Sequence, residues 1–206
     1  MKQTILILTF VLTTFLCFGQ KQHLEPVKDF KQYEGVLKEY YENVFPLLYK
    51  GYSEKPIARY TSMPSFSYEY SFSIEIIEDK NYVVSNRLSE SYWYAKNKKK
   101  VKLTSSKAEL SADLYFKIIE LFRLLEEQTK KPENDLMGVD GVIYYFATTD
   151  QNGHVKIGET WSPNEKAFLG NLIKVCDNIY SLGKGKDIYQ TDVLKEIDKL
   201  LTDLKQ

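Results

Sequence analysis

Between Phe66 and Ile76 the chain alternates with period two. Phe66, Tyr68, Tyr70, Phe72, Ile74 and Ile76 fall on one side, and Ser67, Glu69, Ser71, Ser73 and Glu75 on the other. A helix, repeating every 3.6 residues, would mix these two sets, whereas a strand separates them. A strand with one apolar face needs neighbours for its backbone and a cover for that face. The turn-like Glu78–Asn81 leads to a second run, Tyr82–Arg87, a third, Ser91–Ala95, and a fourth, Val101–Thr104. Together they predict a meander of about four antiparallel strands. The lysine-rich tip at Lys96, Lys98, Lys99 and Lys100 reads as a solvated hairpin end that also discourages edge pairing.

The cover is predicted over Ala112–Lys130, where Leu114, Ile118, Leu121, Phe122 and Leu125 form an apolar stripe behind Ser111 as N-cap. Ser106 with Glu109 offers an alternative capping box one turn earlier. Val142–Ala147 reads as a strand buried on both faces, and Asp150, Asn152 and Gly153 as a turn returning it through His154–Thr160. Ser162, Pro163 and Glu165 have the spacing of cap, N1 and N3 residues, so a helix is expected from there to Gly183. Ile188–Leu204 reads as a last amphipathic helix. Upstream, a helix is expected from Pro26 to residue 49 with Pro46 kinking or ending it, followed by a linker from Gly51 to Pro64. The fold class expected is therefore α+β, an antiparallel sheet of about six strands with helices packed mainly on one face. The organisation expected is residues 1–19 as signal peptide, 20–64 as N-terminal helix and linker, and 65–206 as the α+β domain.

The first twenty residues carry an address. Lys2 precedes an almost wholly apolar run over residues 4–18 that ends at Gly19, Gln20 and Lys21. That run is shorter than the roughly 20 residues a spanning helix requires, so it reads as a secretory signal cleaved after Gly19, giving a periplasmic or secreted protein with no transmembrane span. Lipid anchoring through Cys17 is the rival, but Thr14, Phe15 and Leu16 before it are poor company for a lipidated cysteine. After cleavage Cys176 is the only cysteine, which leaves stability to the core.

Composition narrows the chemistry. With 28 Lys plus Arg against 28 Asp plus Glu the formal charge is zero, which gives no electrostatic reason to expect nucleic acid. His23, His154 and Cys176 have no ligand-pair spacing, so no metal and no cofactor is expected. There is no G-x-S-x-G elbow, and the glycines at 183 and 185 follow a helix and end it rather than cradle phosphate. Cys176, on the apolar stripe of a helix, reads as a core thiol. Asp150, Asn152 and His154 read as a polar hairpin turn. Among carboxylates, Asp135, Asp140 and Glu159 lie near strand ends, and Asp140 with Glu159 is the candidate acidic site. The excess is in tyrosine, 16 of 206 residues, with Trp93 between Tyr92 and Tyr94. Flat rings with polar handles suit a protein or glycan partner, so Tyr92, Trp93, Tyr94 and Trp161 are the candidate binding residues, with Tyr92 and Tyr94 expected on one sheet face and Trp93 on the other.

The run Asp140–Phe146 (D-G-V-I-Y-Y-F) with Gly158–Pro163 (G-E-T-W-S-P) is similar to a pattern in uncharacterised secreted proteins of Bacteroidota. The resemblance spans residues 66–182 and implies a shared fold, but no activity, substrate or catalytic residue. The functional expectation is an exported, non-enzymatic binding or interaction module of the bacterial envelope. An extracytoplasmic inhibitor or immunity-type protein is one alternative, and a hydrolase using Asp140 or Glu159 is another.

Overall fold

The computed structural model describes residues 23–27, 33–131 and 140–205. The expected signal peptide with Cys17, and Asp135, lie outside these residues. In chain order the strands are β1 (Glu25–Pro26), β2 (Arg59–Pro64), β3 (Tyr70–Ile77), β4 (Lys80–Leu88), β5 (Leu103–Glu109), β6 (Val142–Thr149) and β7 (Val155–Trp161). The helices are α1 (Gly35–Leu48), α2 (Ala112–Glu127), α3 (Phe168–Gly183) and α4 (Gln190–Leu204). All neighbouring strands run antiparallel in one open sheet of order β1-β7-β6-β2-β3-β4-β5.

The alternation of β3 becomes two buried layers. Tyr70, Phe72 and Ile74 meet α2, α3 and α4 in the larger core, with Tyr60, Val83 and Phe146 beside them. Burying each large apolar side chain there contributes about 1.5–3 kcal/mol. Ser111 caps α2 as expected, its hydroxyl accepting from the Leu114 N–H at 3.3 Å. Cys176 is fully buried in this core, and burial pushes its thiol up, as a structural cysteine requires. Gly183 closes α3 where the sequence placed its stop.

The opposite face, carrying Ser71, Ser73 and Glu75, is also buried, because α1 and the loop after it lie across it. Part of the tyrosine excess is used here. Tyr41, Phe45, Tyr49 and Tyr52 form a ladder of stacked rings with centroids 5.4, 5.3 and 6.0 Å apart. Their hydroxyls reach the polar sheet: Tyr52 donates to the Ser71 and Val84 carbonyls at 3.0 and 3.1 Å, and Tyr49 pairs with the Thr61 hydroxyl at 2.9 Å. Buried Asn86 donates to the carbonyls of Leu48 and Lys50 at 2.8 and 3.1 Å, serving the C-terminal end of α1.

Several sequence expectations are corrected. The end of the expected linker, Arg59–Pro64, is the strand that joins β3 to β6, paired on both edges. Its Arg59, Thr61 and Ser62 disguise it, and they are tolerated because Arg59 lies over the Tyr49 and Tyr52 rings, 4.6 and 5.2 Å from their centroids. Pro26 belongs to β1 rather than to a helix, and α1 begins at Gly35, leaving Val36 and Leu37 exposed. Pro46 lies two residues before the end of α1, so the one backbone bond it removes, to the Glu42 carbonyl, falls in the last turn. Ser106 and Glu109 belong to β5, not to a cap.

Ser91–Ala95 is a turn, not a strand, with Ala95 donating to the Ser91 carbonyl at 3.0 Å. The helix expected at Ser162 starts instead at Phe168. The Ser162 hydroxyl, rather than capping, accepts from the Val142 N–H at 2.8 Å and ties the end of β7 to β6.

Asp177 on α3 gives the first prediction. Its Oδ1 accepts from the Tyr70 hydroxyl at 2.7 Å and the Tyr60 hydroxyl at 3.1 Å. Burial raises its carboxyl above the ordinary 3.8, outweighing those two bonds, which lower it. A raised carboxyl favours the protonated folded form, so its contribution to stability is full below the unfolded value and is lost as pH rises through the folded one. Asp177→Asn keeps an acceptor for both tyrosines and removes the buried charge. It is expected to melt about 2–4 °C higher at pH 7, the shift about 1 kcal/mol gives a domain of this size, with the gain vanishing below pH 4 in thermal melts across pH.

Candidate ligand-binding cleft

The 91–95 turn, the N-terminal half of α1 and the ends of β2, β6 and β7 enclose a cleft of about 260 Å³. Its walls include Leu37, Tyr40, Trp93, Tyr94, Asp140 and Trp161. Both tryptophans of the chain are therefore in one cleft, although they are 68 residues apart in sequence and were singled out for different reasons. Trp93 is 40% exposed, Trp161 41% and Tyr94 56%, high values for such large rings. A smaller cleft of about 120 Å³ adjoins it, lined by Val36, Glu39, Tyr40, Asn43, Tyr92, Trp93 and Lys98. Tyr40 and Trp93 belong to both, meeting edge to face at 5.2 Å as the partition.

The turn is held by side chains from elsewhere. Glu69, fully buried, accepts the Tyr92 N–H at 3.0 and 3.2 Å and the Tyr40 hydroxyl at 2.7 Å, so one carboxyl joins the turn to α1. Burial and the Glu69 charge both raise the Tyr40 hydroxyl, which keeps it a donor at any working pH. From the other side Lys98 donates to the carbonyls of Tyr92 and Trp93, the latter at 2.6 Å, and lies 5.1 Å from the Tyr92 ring centroid. These bonds occupy the backbone groups that a strand would have given to a neighbour, which is why Tyr92, Trp93 and Tyr94 do not alternate across the sheet. Trp93 and Tyr94 face the larger cleft together, and Tyr94 stacks on exposed Phe66 at 6.2 Å.

The far wall rests on a backbone device. Gly141 adopts φ +148°, where a Cβ is strained, and a Cβ there would come within 2.3 Å of the Ser162 hydroxyl oxygen and 2.7 Å of the Trp161 indole nitrogen. Only glycine lets Trp161 lie against the start of β6. The Asp-Gly and Trp-Ser pairs of the sequence pattern thus form one corner, with Asp140 and Trp161 on the cleft and Ser162 bolting the strands together.

The structure brings together Trp93, Tyr94, Trp161 and Asp140. Tyr92 lies in the adjoining cleft, across the partition. Glu159 is outside the described lining of both: the register sets it opposite Tyr145, while Trp161 stands opposite Ile143, so it is one same-face position farther along β7, about 7 Å away. Burial raises the hydroxyls of Tyr41 and Tyr145, and the Glu159 charge adds a lesser contribution to each. Asp150, at the other end of the sheet, turns the β6–β7 hairpin by accepting the N–H groups of Asn152 and His154, both at 2.9 Å.

Sequence reading missed Glu69, Tyr40 and Lys98. For Glu69 a signal existed, a carboxylate placed on a strand among tyrosines, but a polar-side residue reads as solvent-facing until a helix is known to cover it. Among the described residues no helix is long and apolar enough to cross a membrane. Protein-family models, curated proteins and solved structures give no match to this chain.

Proposed function

We propose that this chain is an exported, non-enzymatic binding module of the bacterial envelope, and that it holds its ligand in the aromatic cleft between α1 and the 91–95 turn. One observation carries the reading: both tryptophans and Tyr94 are held half-exposed in one concave site by Glu69, Lys98 and Gly141. Leaving large rings in water forgoes burial energy that the same rings would contribute in a core, and contiguous exposed aromatic surface is the usual mark of a recognition site. The placement of Asp140 and Glu159 lends no support to a hydrolytic pair. Export rests on the apolar run over residues 4–18 behind Lys2.

The test is capture from native envelope extract on the immobilised mature chain, beside a Trp93→Ala/Trp161→Ala chain whose melting curve shows it folded. The wild type is expected to retain a component that the double variant loses by at least tenfold. Equal retention by both, or by neither, would contradict the reading, and an unprocessed intact mass for the native protein would contradict export.

A further inference from the structure

We infer that the ligand of this cleft is a neutral glycan chain, with two consecutive sugar units placed on either side of the Trp93–Tyr40 partition. This deepens the binding-module reading and rests on it. The size of the two openings is the first argument. At about 260 and 120 Å³, each is smaller than the roughly 300 Å³ at which pockets begin to hold drug-sized ligands, so each suits one ring-sized unit, and their shared wall suits a chain of such units.

The chemistry of the walls is the second. A sugar ring presents an apolar C–H face and a rim of hydroxyls. The larger opening offers Trp161 and Trp93 as flat faces with Asp140 and Ser65 at the rim; the smaller offers Trp93 with Glu39 and Asn43, the Tyr92 ring there being covered by Lys98. Carboxylates and amides accept or exchange hydrogen bonds with hydroxyls, so both openings carry a stacking surface beside polar partners.

Charge and backbone decide against other ligands. The lysine of the described lining, Lys98, already donates to the Tyr92 and Trp93 carbonyls, while Asp140 and Glu39 are acidic, which disfavours uronic, phosphorylated or other anionic chains. An extended peptide added as a strand needs free N–H and C=O groups along its track. In the 91–95 turn the Tyr92 N–H goes to Glu69, the Ala95 N–H to Ser91, and the Tyr92 and Trp93 carbonyls to Lys98. The turn therefore presents rings rather than backbone.

Because the chain has two tryptophans and both line the cleft, their emission reports occupancy directly. Neutral oligosaccharides built from glucose, mannose or N-acetylglucosamine, one to six units long, are titrated into the mature protein. At least one series is expected to give a saturable emission change, with affinity rising about tenfold or more from one unit to two and then levelling off. Trp161→Ala is expected to weaken every length, and Asn43→Ala, remote from the larger opening, only chains of two units or more. Both variants are checked for an unchanged melting curve, and should Trp161→Ala fail that check, Trp161→Phe replaces it.

No saturable change with any neutral series, tighter binding of a uronic-acid oligosaccharide, or affinity independent of length would overturn the inference. If no oligosaccharide acts but a purified envelope protein or peptide is retained in a Trp93- and Trp161-dependent way, the glycan inference fails and the binding-module reading stands. If neither class acts, both fail.

Discussion

A Glu69→Leu chain is expected to lose about 3 kcal/mol of stability, melt roughly 6–12 °C lower and shift its tryptophan emission to the red. Glu69 is fully buried beneath α1, where it accepts the Tyr40 hydroxyl at 2.7 Å and the Tyr92 N–H at 3.0 Å. Leucine matches much of its volume but leaves both donors without an acceptor in a site that water reaches poorly, and each orphaned donor costs about 1–3 kcal/mol. The 91–95 turn is then held from one side only, by Lys98, so Trp93 gains freedom and solvent. Glu69→Gln, which keeps an acceptor for one of the two donors, is expected to lose less than half as much. Denaturant unfolding followed by far-UV dichroism, with emission spectra of the folded state, separates the two effects. If Glu69→Leu were as stable as wild type with unchanged emission, this buried carboxyl would not be what holds the cleft.

The second large effect is expected at Gly170 in α3. A Cβ added there would stand 2.2 Å from the Asn164 carbonyl oxygen and 2.6 Å from the Glu165 Cα. These are backbone atoms of the loop between β7 and α3, so no rotamer change relieves the conflict and the loop must move as a unit. That loop is pinned by the pairing of Ser162 with Val142 in both directions, 2.9 Å through its N–H and 2.8 Å through its hydroxyl, and by the Ala167 N–H on the Asn164 carbonyl at 2.9 Å. Gly170→Val is therefore expected to cost about 3 kcal/mol or more, at the upper end of overpacking losses, and Gly170→Ala less, as read by denaturant midpoints. Because Trp161 directly precedes Ser162, Gly170→Val is also expected to weaken whatever binds the cleft, although residue 170 is not in its wall.

Particular residues show what was legible in the sequence and what was not. The alternation expected over Phe66–Ile76, the Ser111 cap and the stop at Gly183 could be read because each rests on neighbours within a few residues, although the strand itself begins only at Tyr70 and Phe66–Glu69 precede it as loop. The β3–β4 hairpin was legible as a turn, although its two-residue loop, Glu78 and Asp79, takes positive φ of 52° and 61° without a glycine. The strand Arg59–Pro64 was not legible, because its polar residues are accepted only once the Tyr49 and Tyr52 rings from the end of α1 and the loop before the strand fold back over Arg59, which no period in the sequence reveals. The 91–95 turn was misread for the same reason: its backbone partners, Glu69 and Lys98, are side chains that no periodicity reveals. Trp93, Tyr94, Asp140 and Trp161 were legible as residue types, from ring exposure chemistry and motif position, but their meeting in one cleft follows only from the sheet order that sets β2 between β3 and β6.

Amide hydrogen exchange of the protein, with and without native envelope extract, examines the cleft most directly. The account predicts slowed exchange confined to peptides covering residues 91–95, 140–143 and 161–162 and the first turns of α1, and no slowing in the Trp93→Ala/Trp161→Ala chain. Protection centred instead on the outer surfaces of α2 and α4, or equal protection in the double variant, would contradict it.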